Sequence, residues 1–335
     1  MSEQPMVTVR DLKVRFKRGG QTLSAVNGVS LQVARGEVLA LIGESGSGKS
    51  VTLRALMRLH PERSTRIEGQ IHIAGQDLMT LSRSQLQAVR GPVTSMIFQE
   101  PLLALDPVYT IGQQIVEALR RHRPMTKAQA RAEALEALRS VRIPSPEQRL
   151  DAYPHEMSGG MRQRAMIALA LACKPQILLA DEPTTALDAT VQIQILILLR
   201  ELQQALGLSI IFVTHDIGAA VEVADRVAVM YGGRIVEQAA LAELLANPRH
   251  PYTQVLLGTR PKDGLRKGER LTSIPGAPPD LANLPAGCAF AARCPRASEI
   301  CRTEVPAVDE LQGNHRVSCH HWKQVPVHSH CETLS

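Results

Sequence analysis

The chain has 335 residues, 38 Lys and Arg against 32 Asp and Glu, and a net charge of +6. Its length exceeds one compact core and predicts a main domain plus a smaller one. The basic residues are scattered along the chain, which argues against a nucleic-acid partner, because such surfaces gather Lys and Arg on one face. Hydrophobic residues make up 44% and aromatics 3%, so Leu, Ile, Val and Ala must fill a globular core. The opening Met-Ser-Glu-Gln-Pro does not read as a secretory signal. No apolar run approaches the ~18–20 residues that span a bilayer, and the expectation is a chain kept in the cytoplasm.

In chain order, Val7–Val33 and Ile67–Leu78 read as strands with Gly turns, suited to an antiparallel sheet. Glu37–Ile42 is a short apolar run that reads as a buried strand. It leads into Gly43-Glu44-Ser45-Gly46-Ser47-Gly48-Lys49-Ser50, which satisfies the phosphate-loop pattern G-x-x-x-x-G-K-[ST] at every fixed position. The glycines let successive N–H groups converge on an anion, Lys49 adds a charge for phosphate, and Ser50 offers a hydroxyl to Mg²⁺. Val51 opens a helical pattern to Leu59, so the loop ends at a helix N-terminus, which favours phosphate.

Val93–Phe98 reads as a strand followed by Gln99. Ile111–Val141 reads as two helices, with Thr126 and Gln129 spaced as a capping box at the start of the second. The run Arg120-Arg121-His122-Arg123 suits a helix C-terminus better than a nucleic-acid patch. Ser158-Gly159-Gly160 precedes an apolar helix at Ala165–Ala172 and could form a compact anion site or an ordinary N-cap. Ile177–Glu182 is an apolar strand ending in two carboxylates. Asp181 stands where Mg²⁺ is held in phosphate-loop enzymes, and Glu182 stands where a base can polarise water. Leu208–Val213 reads as a strand followed by His215. Strand and helix alternate through Tyr231, the pattern of a parallel α/β core. Leu241–Asn247 is a short helix stopped by Pro248. Arg260–Gly287 is Pro- and Gly-rich with little periodicity and reads as a linker or wrapped loop.

The order phosphate loop, Gln99, Ser158-Gly159-Gly160, Asp181-Glu182, Asp188, His215 resembles the ATP-binding-cassette (ABC) family over roughly residues 7–255. The family's LSGGQ motif is here Met157-Ser158-Gly159-Gly160-Met161, with the Ser-Gly-Gly core intact and both flanks changed. Ala186-Leu187-Asp188 resembles its D-loop and Thr214-His215-Asp216 its switch histidine. Phe16 stands where the family stacks an aromatic ring on adenine, though a strand-edge aromatic would look the same. The resemblance implies an α/β phosphate-loop ATPase with a parallel core, an antiparallel β subdomain and a helical subdomain. It implies ATP and Mg²⁺, with Gly46, Gly48, Lys49 and Ser50 on phosphates and metal, Gln99 in the metal and water shell, and Glu182 and His215 in catalysis. It also implies two cassettes packed head to tail, each presenting its Ser-Gly-Gly to the partner's nucleotide.

His250-Pro251-Tyr252-Thr253-Gln254-Val255-Leu256-Leu257, with the Pro-rich stretch and a cysteine cluster after it, resembles the C-terminal extension of bacterial peptide-importer ATPases. This implies an ATPase subunit on the cytoplasmic face of the inner membrane, peripheral to two permease subunits. The complex would include a periplasmic binding protein and a second cassette, a different one by preference. A nickel, metal-chelate or glutathione-type importer stays open, as do an exporter subunit and a non-transport ABC ATPase. The expected domains are 1–257, with a helical insert at about 100–160, an extension at 258–322, and a flexible tail at 323–335.

Cys288, Cys294, Cys301 and Cys319 are spaced by five, six and seventeen residues, unlike a zinc C-x-x-C knuckle. The spacing suits four thiolates around a metal centre. In the importer extension it resembles the ligands of a four-iron four-sulfur cluster. Zn²⁺ and free thiols in a small fold remain alternatives. Cys173 reads as a small core residue. His315, His320, His321, His328 and His330 read as a solvated tail, with Cys331 part of it, and alternatively as further ligands of that centre.

Overall fold

The computed structural model describes residues 4–185, 187–258, 274 and 276–325. Ala186, residues 259–273 and 275 of the expected linker region, and 326–335 with His328, His330 and Cys331 lie outside the described residues.

The strands are β1 (Val7–Arg18), β2 (Gln21–Val33), β3 (Val38–Ile42), β4 (Thr65–Ile73), β5 (Gln76–Asp77), β6 (Thr94–Ile97), β7 (Ile177–Asp181), β8 (Ser209–Thr214), β9 (Arg226–Tyr231), β10 (Arg234–Ala240), β11 (Asp309–Glu310) and β12 (Arg316–Val317). Helices with a bearing on function are α1 (Lys49–Leu56), α2 (Ile111–His122), α3 (Lys127–Ser140), α4 (Gly159–Leu171), α5 (Ala189–Leu206), α6 (Ile217–Val223) and α7 (Pro251–Gly258). The chain divides into two compact units.

The first unit takes in the N-terminal residues through Val7, Val33–Glu37 and His72–Val213. Its sheet is parallel: Thr94 to Ile97 of β6 pair with Ile177 to Ala180 of β7, and β7 pairs in register with β8 from Ser209 to Val213. Every residue of β7 and β8 is buried, which explains why these runs are continuously apolar rather than alternating. The helical insert packs α2, α3 and α4 on one another. Its two capping boxes start α2 at Thr110 with Gln113 and α3 at Thr126 with Gln129. Arg120, Arg121 and His122 do occupy the last turn of α2, where cations meet the negative end of the helix dipole. Gly112 admits no side chain, because a Cβ there would lie 2.7 Å from the Leu150 carbonyl oxygen.

The second unit takes in Thr8–Gln32, Val38–Ile71 and the described residues from Thr214 onward. β2, β1 and β4 lie side by side in that order. β3 pairs in parallel with β9, and β9 pairs antiparallel with β10 across the Gly232-Gly233 turn. The C-terminal extension continues this sheet: β12 pairs antiparallel with β10, and β11 with β12. The described part of the Pro-rich segment is anchored as well, since Leu281 O accepts from the Ser24 N–H on β2 at 3.0 Å.

His315 departs from the solvated tail expected of it. It is 1% exposed, and its Nε2 pairs with the Glu237 carboxylate at 2.8 Å. Glu237, also 1% exposed, accepts from the backbone N–H groups of Arg249 and His250 as well. One buried carboxylate thus ties β10, the start of α7 and the approach to β12. His320 and His321 are likewise engaged, with the Glu304 carbonyl and the Ser298 hydroxyl. Replacing Glu237 by Gln puts an NH₂ opposite an N–H that then lacks an acceptor, at a cost of about 1–3 kcal/mol. Denaturant unfolding of Glu237→Gln is expected to show a loss of that size. Glu310→Gln removes an exposed pair with Arg316 and is expected to shift stability by about 0.5 kcal/mol or less.

Candidate active site

The loop Gly43–Ser50 leaves the buried end of β3 and enters α1. Gly43 has φ 153°, and a Cβ on it would stand 2.2 Å from the Met230 carbonyl oxygen. Gly48 has φ 101°, and its Cβ would stand 2.5 Å from the Ala25 carbonyl oxygen. These two glycines are required by close approach as well as by conformation. Gly46, at φ 80°, faces open space together with exposed Ser45. Ser47 is buried, and its carbonyl accepts from Gly233 N. No side chain caps α1, and its N-terminus opens at the loop, where a helix end favours an anion. Lys49 is 4% exposed, and its Nζ donates to the carbonyls of Gly43 at 2.8 Å and Glu44 at 2.9 Å. Ser50 and Val51 follow in the first turn of α1, both half-buried. Phe16, half-buried on β1, meets His60 edge-on with ring centroids 5.2 Å apart. Burial holds the His60 imidazole below its ordinary pKa, so the ring beside Phe16 is neutral at pH 7. His215 follows β8 on the surface, and the adjacent Asp216 side chain caps α6 by accepting from Gly218 N.

In the first unit Asp181 ends β7 fully buried. Glu182 turns the chain at φ 46°, a left-handed conformation that a glutamate adopts at a cost. Its carboxylate is held by Thr185 Oγ1 at 2.9 Å and by Gln99 Nε2 at 3.3 Å. The sequence reading therefore named two residues, Gln99 and Glu182, that the fold does bring together. Ser158 caps α4, its hydroxyl accepting from Met161 N at 3.3 Å, and Ser158 and Gly159 are exposed. The N-cap reading of this serine thus describes its local geometry, and the same geometry leaves helix N–H groups at the surface. Gly160 allows α4 to approach α5, since a Cβ would meet Val191 at 2.9 Å. Asp188 caps α5 by accepting from Val191 N at 3.0 Å.

Each unit carries oxygen donors of the kind that suit a hard cation such as Mg²⁺, Asp181 and Gln99 in the first and Ser50 in the second. Chemically, the loop can neutralise and orient phosphate, and a fixed carboxylate such as Glu182 can take a proton from water.

The four extension cysteines line one small cavity with His250, Arg296, His320 and His321. None of the four forms a disulfide among the described residues. Burial pushes the Cys288 and Cys294 thiols up, and Cys319 to about 12 with help from the neighbouring thiols. The enclosed space is about 10 Å³, roughly one water. Among the described residues no group of three His, Cys, Asp or Glu side chains is placed to hold a metal ion. Donor type fits a cluster, but the cavity would have to widen to admit one. Cys173 is half-buried, with its Sγ 3.6 Å from the Ala118 carbonyl.

Three residues at these sites escaped the sequence reading. Thr185 gives no sign beyond following Glu182 by one turn. Arg293 and Tyr252 both touch Glu44, and the signals available were the His250–Leu257 motif and the neighbouring Cys294.

The ABC transporter family profile matches residues 26–185, and the profile described as oligopeptide/dipeptide transporter, C-terminal region, matches 236–301. A probable peptide ABC transporter ATP-binding protein of Sinorhizobium fredii is 47% identical over 96% of each chain. A dipeptide transport ATP-binding protein of Bacillus subtilis is 47% identical over 96% of this chain and 95% of its own length. Its oligopeptide counterpart from the same organism is 48% identical over 93% and 87%. Among solved structures, the dimeric cassette MJ0796 has a TM-score of 0.64 at 29% identity, covering 70% of this chain and 99% of that one. A post-hydrolysis form of that cassette, bound to ADP and Pi, gives the same TM-score at 30% identity. With its phosphate loop and paired strand-end carboxylates, the chain is an ATP-hydrolysing member of the ABC transporter family.

Proposed function

We propose that this chain is the ATP-binding and hydrolysing subunit of an importer for dipeptides or oligopeptides. The observation that carries the reading is an intact phosphate loop joined, in one chain, to the extension that matches the oligopeptide/dipeptide C-terminal region. Relatives named for peptide transport match over nearly their whole length and support the same cargo class. Two permease subunits, a periplasmic binding protein and a second, different cassette complete the assembly in this reading, at the cytoplasmic face of the inner membrane. No helix among the described residues is long and apolar enough to cross a membrane, so translocation falls to the permeases. The domains follow as residues 1–257 for the cassette, 258–322 for the extension and 323–335 for the tail. Exposed Leu102, Val108 and Tyr109, just after Gln99, offer the apolar face by which the helical insert docks on a permease.

In the reaction, the loop N–H groups and Lys49 hold the β- and γ-phosphates, and Phe16 stacks on the adenine. Ser50, Asp181 and Gln99 would hold Mg²⁺, which supplies charge neutralisation for the transferred phosphoryl group. Glu182, oriented by Thr185 and Gln99, accepts the proton of the attacking water. His215 contacts the γ-phosphate. Ser158-Gly159-Gly160 and Asp188 serve the partner cassette, so ATP joins two chains and hydrolysis parts them. Cys288, Cys294, Cys301 and Cys319 would hold an iron–sulfur cluster of four irons in the extension once the packing around their cavity widens to admit it, and its contribution would be to folding and not to ATP chemistry.

Cells lacking the chain are expected to lose uptake of labelled di- and oligopeptides, with wild-type chain restoring it and Lys49→Ala failing to. Retained peptide uptake with lost nickel or glutathione uptake would move the cargo to those classes.

Glu182→Gln keeps the shape of the side chain but cannot accept the proton. ATP turnover in the assembled transporter is expected to fall about 10²–10⁴-fold with nucleotide still bound. Near wild-type turnover would remove Glu182 from the role of base.

Ser158→Arg is expected to abolish ATP-driven pairing of cassettes while the isolated chain binds ATP as before. A loss of affinity as large as that of Lys49→Ala would mean the motif acts within its own chain.

Chain prepared without oxygen is expected to be brown and to contain iron. Serine in place of any of the four extension cysteines should bleach it, and Cys173→Ser should not. Zinc without iron in such preparations would replace the cluster by a zinc site.

A further inference from the structure

The C-terminal extension reaches the phosphate loop at Glu44 through Arg293, and Tyr252 and Lys49 hold the same residue from two other directions. The Glu44 carboxylate receives both arms of the Arg293 guanidinium, Nη1 to Oε2 at 2.7 Å and Nη2 to Oε1 at 3.0 Å. Its backbone N–H donates to the Tyr252 hydroxyl at 2.9 Å. Its carbonyl accepts from Lys49 Nζ at 2.9 Å. Arg293 is itself fixed by the Tyr231 hydroxyl at 3.1 Å and the Ile274 carbonyl at 3.2 Å, and its side chain is 5% exposed. Behind it Tyr231, Tyr252 and Phe290 form an aromatic cluster with centroids 4.6–5.4 Å apart, each at most 2% exposed.

A carboxylate beside a loop that must receive a triphosphate is electrostatically adverse. Its repulsion acts over short range and through partly dry surroundings, where charges are screened weakly. A buried bidentate arginine removes that charge and also fixes the carboxylate's direction, which a lysine would not do as well. Arg293 lies in the same turn as Cys294, so a residue of the extension completes the electrostatics of a loop residue 249 positions earlier.

We propose that Arg293 is a positioning residue of the nucleotide site: it neutralises and orients Glu44, and so sets the affinity of the phosphate loop for ATP from within the extension. The proposal rests on ATP as the ligand of the loop and does not depend on the identity of the cargo or on the cluster.

The test is nucleotide affinity of the full-length chain, measured by titration with ATP and with ADP, with and without Mg²⁺. Arg293→Ala is expected to weaken ATP binding about tenfold, more for ATP than for ADP, with the loss shrinking at high salt. Glu44→Gln in that background removes the charge left behind and is expected to restore most of the affinity. An arginine that only braced the extension would give no such restoration, because the second substitution does nothing for packing. Wild-type affinity in Arg293→Ala, or a loss that Glu44→Gln leaves untouched, overturns the proposal. If Arg293→Ala does not fold, Arg293→Gln and its pair with Glu44→Gln carry the same comparison. Lys49→Ala serves as the control: binding unaffected by that change would overturn the reading of the loop itself and not the assignment of Arg293.

Discussion

The fold of the nucleotide unit depends on a backbone that turns where no side chain can follow. At Gly43 and Gly48 the loop presses against the carbonyls of Met230 and Ala25, at distances that a Cβ would violate. Those walls belong to the end of β9 and to β2. The loop is thereby shaped by long-range packing rather than by its own sequence, although its sequence is what permits the shape. With the backbone so held, α1 begins without a side-chain cap, and its N-terminus lies at the loop, where a helix end favours phosphate. Lys49, a buried cation, donates to two loop carbonyls, which fix its direction within the loop.

The carboxylate end of β7 shows a related economy. Asp181 completes a strand that is buried throughout, and the next residue leaves it in a left-handed turn. That turn carries Glu182 out of strand geometry and into reach of Thr185 and Gln99. Backbone strain at a non-glycine residue persists where neighbours over-determine it, and here the hydrogen bond from Glu182 N to Val213 O supplies part of that constraint.

The extension is continuous with the nucleotide unit. β12 adds to β10 and β11 to β12, and Glu237 draws three donors from two segments, Arg249–His250 and His315, into the seam. Because the carboxylate is buried, each donor matters: removing an acceptor inside a protein strands its partner. The same unit holds the aromatic cluster of Tyr231, Tyr252 and Phe290 and the cysteine cavity, so the extension's folding and the loop's environment share side chains.

Sequence determined what is local. The phosphate-loop pattern, the apolar runs of β3, β7 and β8, and the capping box at Thr126 each follow from residue types at fixed spacing, because turns, caps and burial patterns are short-range chemistry. The motif order also carried the family resemblance. Tertiary structure decided what depends on separation along the chain. That Gln99 and Thr185 both hold Glu182, that His315 is a core residue and not part of a solvated tail, and that Arg293 reaches Glu44 are pairings between segments whose sequences contain no record of each other. The cysteines fall between these cases. Their spacing predicted convergence, and their thiols do line one cavity, but its volume is set by the packing of the extension around it. A side chain's chemistry is written in the sequence, whereas its partner is fixed by the free energy of the whole packed chain.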